Sequence, residues 1–118
     1  MVWRINMANK DIVDKTYQAI EIARNTGKIR RGSNEVTKVL ERGEAKLIAI
    51  AEDVVPKEIV MHLPILAEEK GVVCVSVPTK AELGASAGLE LGTSAIAIVQ
   101  EGESKNLISE IVEQTRKK

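Results

Sequence analysis

Three short apolar runs, separated by segments with helical spacing, set the limits on what this chain can fold into. Leu47-Ile48-Ala49-Ile50, Val72 to Val77 and Ala95 to Val99 have the length of strands and no polar alternation. A strand that faces water on one side alternates; one that is apolar throughout must be covered on both faces. From Asp11 to about Asn25, residues Ile12, Val13, Ala19, Ile20 and Ala23 recur at helical spacing, and Gly27 is placed to end that helix. The residues from 28 to 32 are few and read as an edge strand. A second helix is expected from about Ser33 to Arg42, ending at Gly43, and a third over about 57–70, with Pro56 near its start and Gly71 after it. A short helix follows from Thr79 to about Ala87. The last helix starts near Ser104, with Leu107, Ile108, Ile111 and Val112 on one face. The alternation predicts a three-layer α/β/α sandwich around a small mixed sheet of about four strands.

With 118 residues, the chain is expected to form one domain over 1–118, entered by an extended segment over about 1–9. A hydrophobic share of 44% supports a folded core and argues against disorder. Aromatics are nearly absent: there is no Phe, and Trp3 and Tyr17 both lie near the N-terminus. A base-stacking platform for single strands is therefore not expected. Cys74 is alone, which excludes an internal disulfide and a cysteine-rich zinc site and fits a reducing compartment. No run approaches the roughly 20 apolar residues of a membrane span, and the first residues lack the pattern of a signal peptide. A soluble, cytoplasmic protein is the expectation.

Net charge is zero, so the protein does not look built to coat nucleic acid indiscriminately. The distribution is uneven. From Arg24 to Lys46 seven cations (Arg24, Lys28, Arg30, Arg31, Lys38, Arg42, Lys46) face three carboxylates (Glu35, Glu41, Glu44), a local excess of four positive charges. This is either a solvated mixed-charge face or one zone for an anionic partner.

Few residues suggest reaction chemistry. Cys74, His62 and Asp53 would be the candidates for nucleophilic catalysis, but Cys74 lies inside an apolar strand, where a thiol behaves as a small hydrophobe. His62 reads as a packing or helix-surface residue. No carboxylate spacing suggests a metal, and no cofactor is implied. Leu83-Gly84-Ala85-Ser86-Ala87-Gly88 matches neither phosphate-loop pattern; its small residues read as close helix packing. Leu89-Glu90-Leu91, between Gly88 and Gly92, reads as a loop whose leucines either fold back or form an exposed apolar patch for a partner.

The segment Gly32-Ser33-Asn34-Glu35-Val36-Thr37-Lys38 follows the basic stretch Lys28-Ile29-Arg30-Arg31 and opens a helix. Ser33 or Asn34 is expected to cap it. A helix start beside cations attracts phosphate oxygens, yet Glu35 places a carboxylate there. One reading is ordinary helix-start chemistry, with Glu35 and Lys38 as a surface pair. The other is a reader of bases, because a carboxylate is tolerated among phosphates when it meets a donor-rich edge such as guanine.

That segment resembles the archaeal ribosomal L-seven-Ae family. The match continues through Ala45 to Val54, Glu58-Ile59-Val60-Met61-His62-Leu63-Pro64, Val77 to Gly84 and Ala87-Gly88-Leu89-Glu90, covering roughly residues 16 to 115 in order and spacing. The resemblance implies an α/β/α sandwich that is not an enzyme and binds kink-turn RNA, in which tandem sheared G·A pairs stand beside a short bulge. It assigns Asn34 and Glu35 to guanine edges, Lys38 to guanine or nearby phosphate and Gly32 to close backbone approach, and counts Ser33, Arg31 and Arg42 among the RNA-binding residues. A second loop, Leu89, Glu90 and Leu91 with Val55, Ile59 and Lys80 as neighbours, would close over a nucleotide flipped from the bulge. The implied partners are ribosomal RNA, box C/D and H/ACA guide RNAs, ribonuclease P RNA and the core proteins of guide ribonucleoproteins, with no membrane and no small-molecule substrate. A protein-interaction module of the same fold and a small α/β enzyme are the alternative readings. Val55 stands where the family often has a polar residue, Gly92 where Pro or Ala is commoner, and the segment around Trp3 has no counterpart in the match.

Overall fold

The computed structural model describes residues 10–54 and 58–116. The expected extended segment over 1–9, the residues around Pro56 and the last two lysines lie outside them. Along the chain come α1 (Lys10–Thr26), β1 (Lys28–Arg31), α2 (Ser33–Glu41), β2 (Leu47–Ala51), α3 (Glu58–Glu69), β3 (Cys74–Val77), α4 (Lys80–Ser86), β4 (Ala95–Gln100) and α5 (Lys105–Arg116). The strands form one mixed sheet in the order β1-β4-β2-β3. β2 and β3 run parallel, and β4 runs antiparallel to both β1 and β2. Helices α2 and α3 pack together on one face, and α1, with α4 and α5 against it, covers the other. The three-layer sandwich and its four-stranded mixed sheet are those expected.

Burial explains why the apolar runs became strands. Every residue of β2 and β3 is buried, as are the first four of β4. β1 is different: at the sheet edge it exposes Lys28, Arg30 and Arg31, with only Ile29 half-buried and packed on the core. Cations on an edge strand oppose pairing with another chain. Helix α2 buries Val36, Val39 and Leu40, one stripe at helical spacing. That stripe packs on the sheet and leaves Asn34, Glu35, Lys38 and Arg42 exposed.

Three boundaries differ from the sequence reading, each for a local reason. β3 begins at Cys74 rather than Val72, because the Val72 N–H donates to the carbonyl of Ala67 at 2.8 Å and so closes the end of α3. The last helix is preceded by a 3₁₀ turn, Gly102–Ser104, in which the Glu103 N–H donates to Thr26 Oγ1 at 2.9 Å. Neither Ser33 nor Asn34 caps α2. The cap position is Gly32, at φ 90° and ψ 148°, and no side chain caps the helix. Gly32 takes that place because its N–H is drawn into the sheet by the Ala95 carbonyl at 2.9 Å, in a left-handed conformation open to glycine.

Leu40 is fully buried and ties α2 to the sheet. Leu40→Ala is expected to lower the unfolding free energy by about 2–5 kcal/mol in urea titration.

Candidate nucleic-acid interface

β1, β2 and β3 run in the same direction, so α2, α3 and α4 all begin at one end of the sheet, where β4 enters from the loop that follows α4. A row of hydrogen bonds knits this end together. Gly32 N–H donates to the Ala95 carbonyl (2.9 Å), Ala51 N–H to Ser94 (3.0 Å) and Glu52 N–H to Val77 (2.8 Å). Lys80 N–H then donates to Asp53 Oδ1 at 2.8 Å, and Ser76 Oγ donates to Glu52 Oε2 at 2.8 Å. Four connecting segments are thereby held side by side, with three helix N-termini and their partial positive charge pointing the same way.

These N-termini are not equivalent. At α4, Thr79 Oγ1 accepts from the Glu82 N–H (3.2 Å) and Asp53 takes the Lys80 N–H. The start of α2 has no such side chain. Val36 N–H bonds back to the Gly32 carbonyl at 3.0 Å, and the N–H groups of Ser33, Asn34 and Glu35 precede the first intrahelical bond. Apart from its two chain neighbours, nothing lies within 4 Å of where a Cβ on Gly32 would sit. An acceptor-rich ligand can reach this backbone unhindered.

Asn34 and Glu35 are exposed at that start, and Lys38 stands one turn on. Glu35 Oε2 and Lys38 Nζ are 3.8 Å apart, with about half or more of each side chain in solvent. A pair of this kind contributes only a few tenths of a kcal/mol, so either partner can turn to a ligand at little cost. The surface pair of the simpler sequence reading is present, and it leaves Glu35 available. Arg42 continues the same helical stripe but caps the far end of α2, about 13 Å from Ser33 at 1.5 Å per residue. Arg31 is the last residue of the edge strand, exposed and immediately before Gly32.

A further support was not expected from the sequence. Thr37 Oγ1 donates to the Ser33 carbonyl at 2.7 Å and lies 2.7 Å from His62 Nε2 of α3. A hydroxyl has one proton; with it committed to Ser33, His62 Nε2 is the donor. His62 thus braces the first turn of α2. The i to i+4 spacing of Ser33 and Thr37 was the only trace of this in the sequence.

The second loop is a rib lying along α4. Leu89 N–H donates to the Gly84 carbonyl (2.9 Å) and Thr93 N–H to that of Lys80 (3.2 Å). A Cβ on Gly84 would strike the Leu91 carbonyl, and one on Gly92 would lie 3.1 Å from the Lys80 carbonyl. Both glycines permit the approach, so the small residues of the 83–88 stretch serve packing, as expected, and Gly92 suits a close contact with α4. The two leucines divide the roles left open by the sequence: Leu89 folds back on the core, whereas Leu91 is 80% exposed. Glu90 and Lys80 are exposed beside it. Val55 lies outside the described residues, and of Ile59 only its place in α3 is described.

Burial pushes the Cys74 thiol up to about 12, which leaves too little thiolate at neutral pH for a nucleophile. Among the described residues no group of His, Cys, Asp and Glu is placed to hold a metal ion, and no helix is long and apolar enough to cross a membrane.

The molecule is thus an α/β/α protein that presents an uncapped helix start and an apolar loop tip together at one end of its sheet. The chain belongs to the ribosomal protein L7Ae/L30e/S12e/Gadd45 family, whose model matches residues 14–108. It is 50% identical over 101 residues to the large ribosomal subunit protein eL8 of Haloquadratum walsbyi, covering 86% of this chain and 84% of that one. It also superposes on the Giardia lamblia 15.5kD RNA binding protein with a TM-score of 0.89 and 32% identity, over 98% of this chain and 96% of the other.

Gly84→Ala is expected to push the rib away from α4. Amide chemical shifts from Leu89 to Thr93 should move, and stability should fall by about 1–3 kcal/mol; unchanged shifts would show that the loop does not depend on this contact.

Proposed function

We propose that this protein is an RNA-binding component of the large ribosomal subunit that recognises and stabilises kink-turns. The observation that carries the reading is the uncapped start of α2, with Asn34 and Glu35 exposed at the same end of the sheet as the projecting Leu91. The names of the relatives support the coarser part: one is a large-subunit ribosomal protein and the other an RNA-binding protein.

The division of labour follows from the chemistry of each group. A regular A-form major groove is too deep and narrow for side chains, whereas the bend at tandem sheared G·A pairs widens it enough to admit a helix end. The free N–H groups of Ser33 and its neighbours, with Gly32 offering no side chain, meet phosphate or base acceptors. Asn34 donates and accepts at a guanine edge. Glu35 only accepts, so it is stabilised by guanine N–H groups and penalised by any edge without donors. Lys38, with Arg31 and Arg42 flanking, supplies charge neutralisation that is indifferent to sequence. The loop of Leu89, Glu90 and Leu91, with Lys80, Val55 and Ile59 as neighbours, closes over the base flipped from the bulge through apolar contact rather than stacking.

The same chemistry suits any RNA that folds into such a bend. Guide RNAs of the box C/D and H/ACA types and ribonuclease P RNA are therefore further targets, and the core proteins of guide ribonucleoproteins are partners, in the cytoplasm.

Glu35→Ala is expected to narrow the affinity gap between a kink-turn and its counterpart lacking the G·A pairs. Preserved discrimination in the variant would overturn the assignment of base reading to Glu35. Lys38→Ala is expected to weaken binding to both RNAs and to reduce the salt slope by about one. Both are read from filter-binding titrations at several salt concentrations. Because the Glu35–Lys38 pair is exposed, neither change should alter the melting of the protein by more than a few tenths of a kcal/mol.

A further inference from the structure

Helix α3 is anchored by Val60, Leu63 and Ala67, a buried stripe at helical spacing that fixes its rotation against the core. His62 stands one residue off that stripe, exposed, and is carried to the flank where α3 packs on α2. There a chain of two hydrogen bonds runs into the start of α2. His62 Nε2 lies 2.7 Å from Thr37 Oγ1, which donates in turn to the Ser33 carbonyl at 2.7 Å. A hydroxyl that accepts one hydrogen bond donates a stronger one. Among the described residues, these are the only side-chain hydrogen bonds that reach α2.

We propose that His62 is a positioning residue for base reading: through Thr37 it holds the first turn of α2, so that Asn34 and Glu35 keep the orientation their hydrogen bonds need. The proposal rests on the kink-turn reading above and adds to it a residue that acts without touching RNA. A helix start with no capping side chain is less stable than a capped one, and α2 has none. A cap would secure the turn by occupying its first N–H groups. The bond from Thr37 secures it by the Ser33 carbonyl instead, and leaves those N–H groups to the ligand. Glu35 lies within the turn that is held, so loosening of that turn reorients its carboxylate. Hydrogen bonds to a base edge weaken steeply with angle, whereas attraction between Lys38 and phosphate falls only slowly with distance. Loss of the brace therefore costs discrimination and spares the contribution of charge.

Gln carries its amide nitrogen about as far from the backbone as His Nε2, whereas that of Asn falls short, matching Nδ1. His62→Gln keeps the donor and His62→Asn removes it, and neither bears an imidazole charge. On a kink-turn and its counterpart lacking the G·A pairs, His62→Asn is expected to narrow the affinity ratio about two- to ten-fold, the range of one net hydrogen bond, at an unchanged salt slope. His62→Gln is expected to restore the ratio. In the free protein, the amide shifts of Asn34 and Glu35 should move in His62→Asn and return in His62→Gln, with the circular dichroism of both unaltered. Thr37→Val should match His62→Asn, and the two together should lose no more than the larger single loss, as members of one chain of bonds do. An unchanged ratio in His62→Asn, or an equal loss in His62→Asn and His62→Gln, would overturn the proposal. Absence of discrimination in the unaltered protein would instead overturn the kink-turn reading itself, before any variant is compared.

Discussion

The row of hydrogen bonds across the end of the sheet is the constraint on which the rest of the site depends. It begins at Gly32 and Ala95, passes through Ser94 and Ala51 to Glu52 and Val77, and ends where Asp53 holds the first turn of α4. Each bond joins a segment leaving one strand to a segment of its neighbour. The start of α2 and the loop that carries Leu91 therefore share a border and cannot drift apart without opening the sheet. This rigidity explains how a small protein with no aromatic platform can present a defined surface: the positions of backbone groups are fixed first, and exposed side chains are added to them.

The same row explains the unusual start of α2. A helix normally satisfies its first N–H groups with a capping side chain. Here the cap position is occupied by a glycine whose own N–H is spent on the sheet, so the donors that follow are left for something else. The support for that open end comes from behind, through Thr37 and His62, and from below, through Val36, Val39 and Leu40. The helix end is thus firmly placed yet chemically unfinished, a combination that suits a rigid ligand with acceptors.

Much of this was legible in the sequence, because apolar runs and helical spacing report burial directly. The strand segments 47–51 and 95–98 are covered on both faces, and that is what their composition required. The cap was misread for a physical reason: Gly, Ser and Asn all suit a cap position, and only the contact of Gly32 with a strand more than sixty residues away decides among them. The division between Leu89 and Leu91 was equally hidden, since it depends on Gly84 and Gly92 admitting the loop against α4. The buttress of His62 on Thr37 joins two helices and leaves no periodic trace in either. Of the proposed site residues, those on α2 stood out in the sequence as a segment open to two readings, helix-start chemistry or base reading, whereas the loop residues needed the resemblance to a known family to bring them together.

On the proposed function, the end of the sheet reads a bent RNA through base edges and not through charge alone. The most direct measurement compares the unaltered protein on two RNAs that differ only at the tandem G·A pairs, one intact and one with Watson–Crick pairs in their place, at equal salt. Two base contacts at about 1–3 kcal/mol each predict a loss of roughly thirty-fold or more on the altered RNA, with the same salt slope for the phosphate contacts that remain. Equal affinity for the two RNAs would contradict the account.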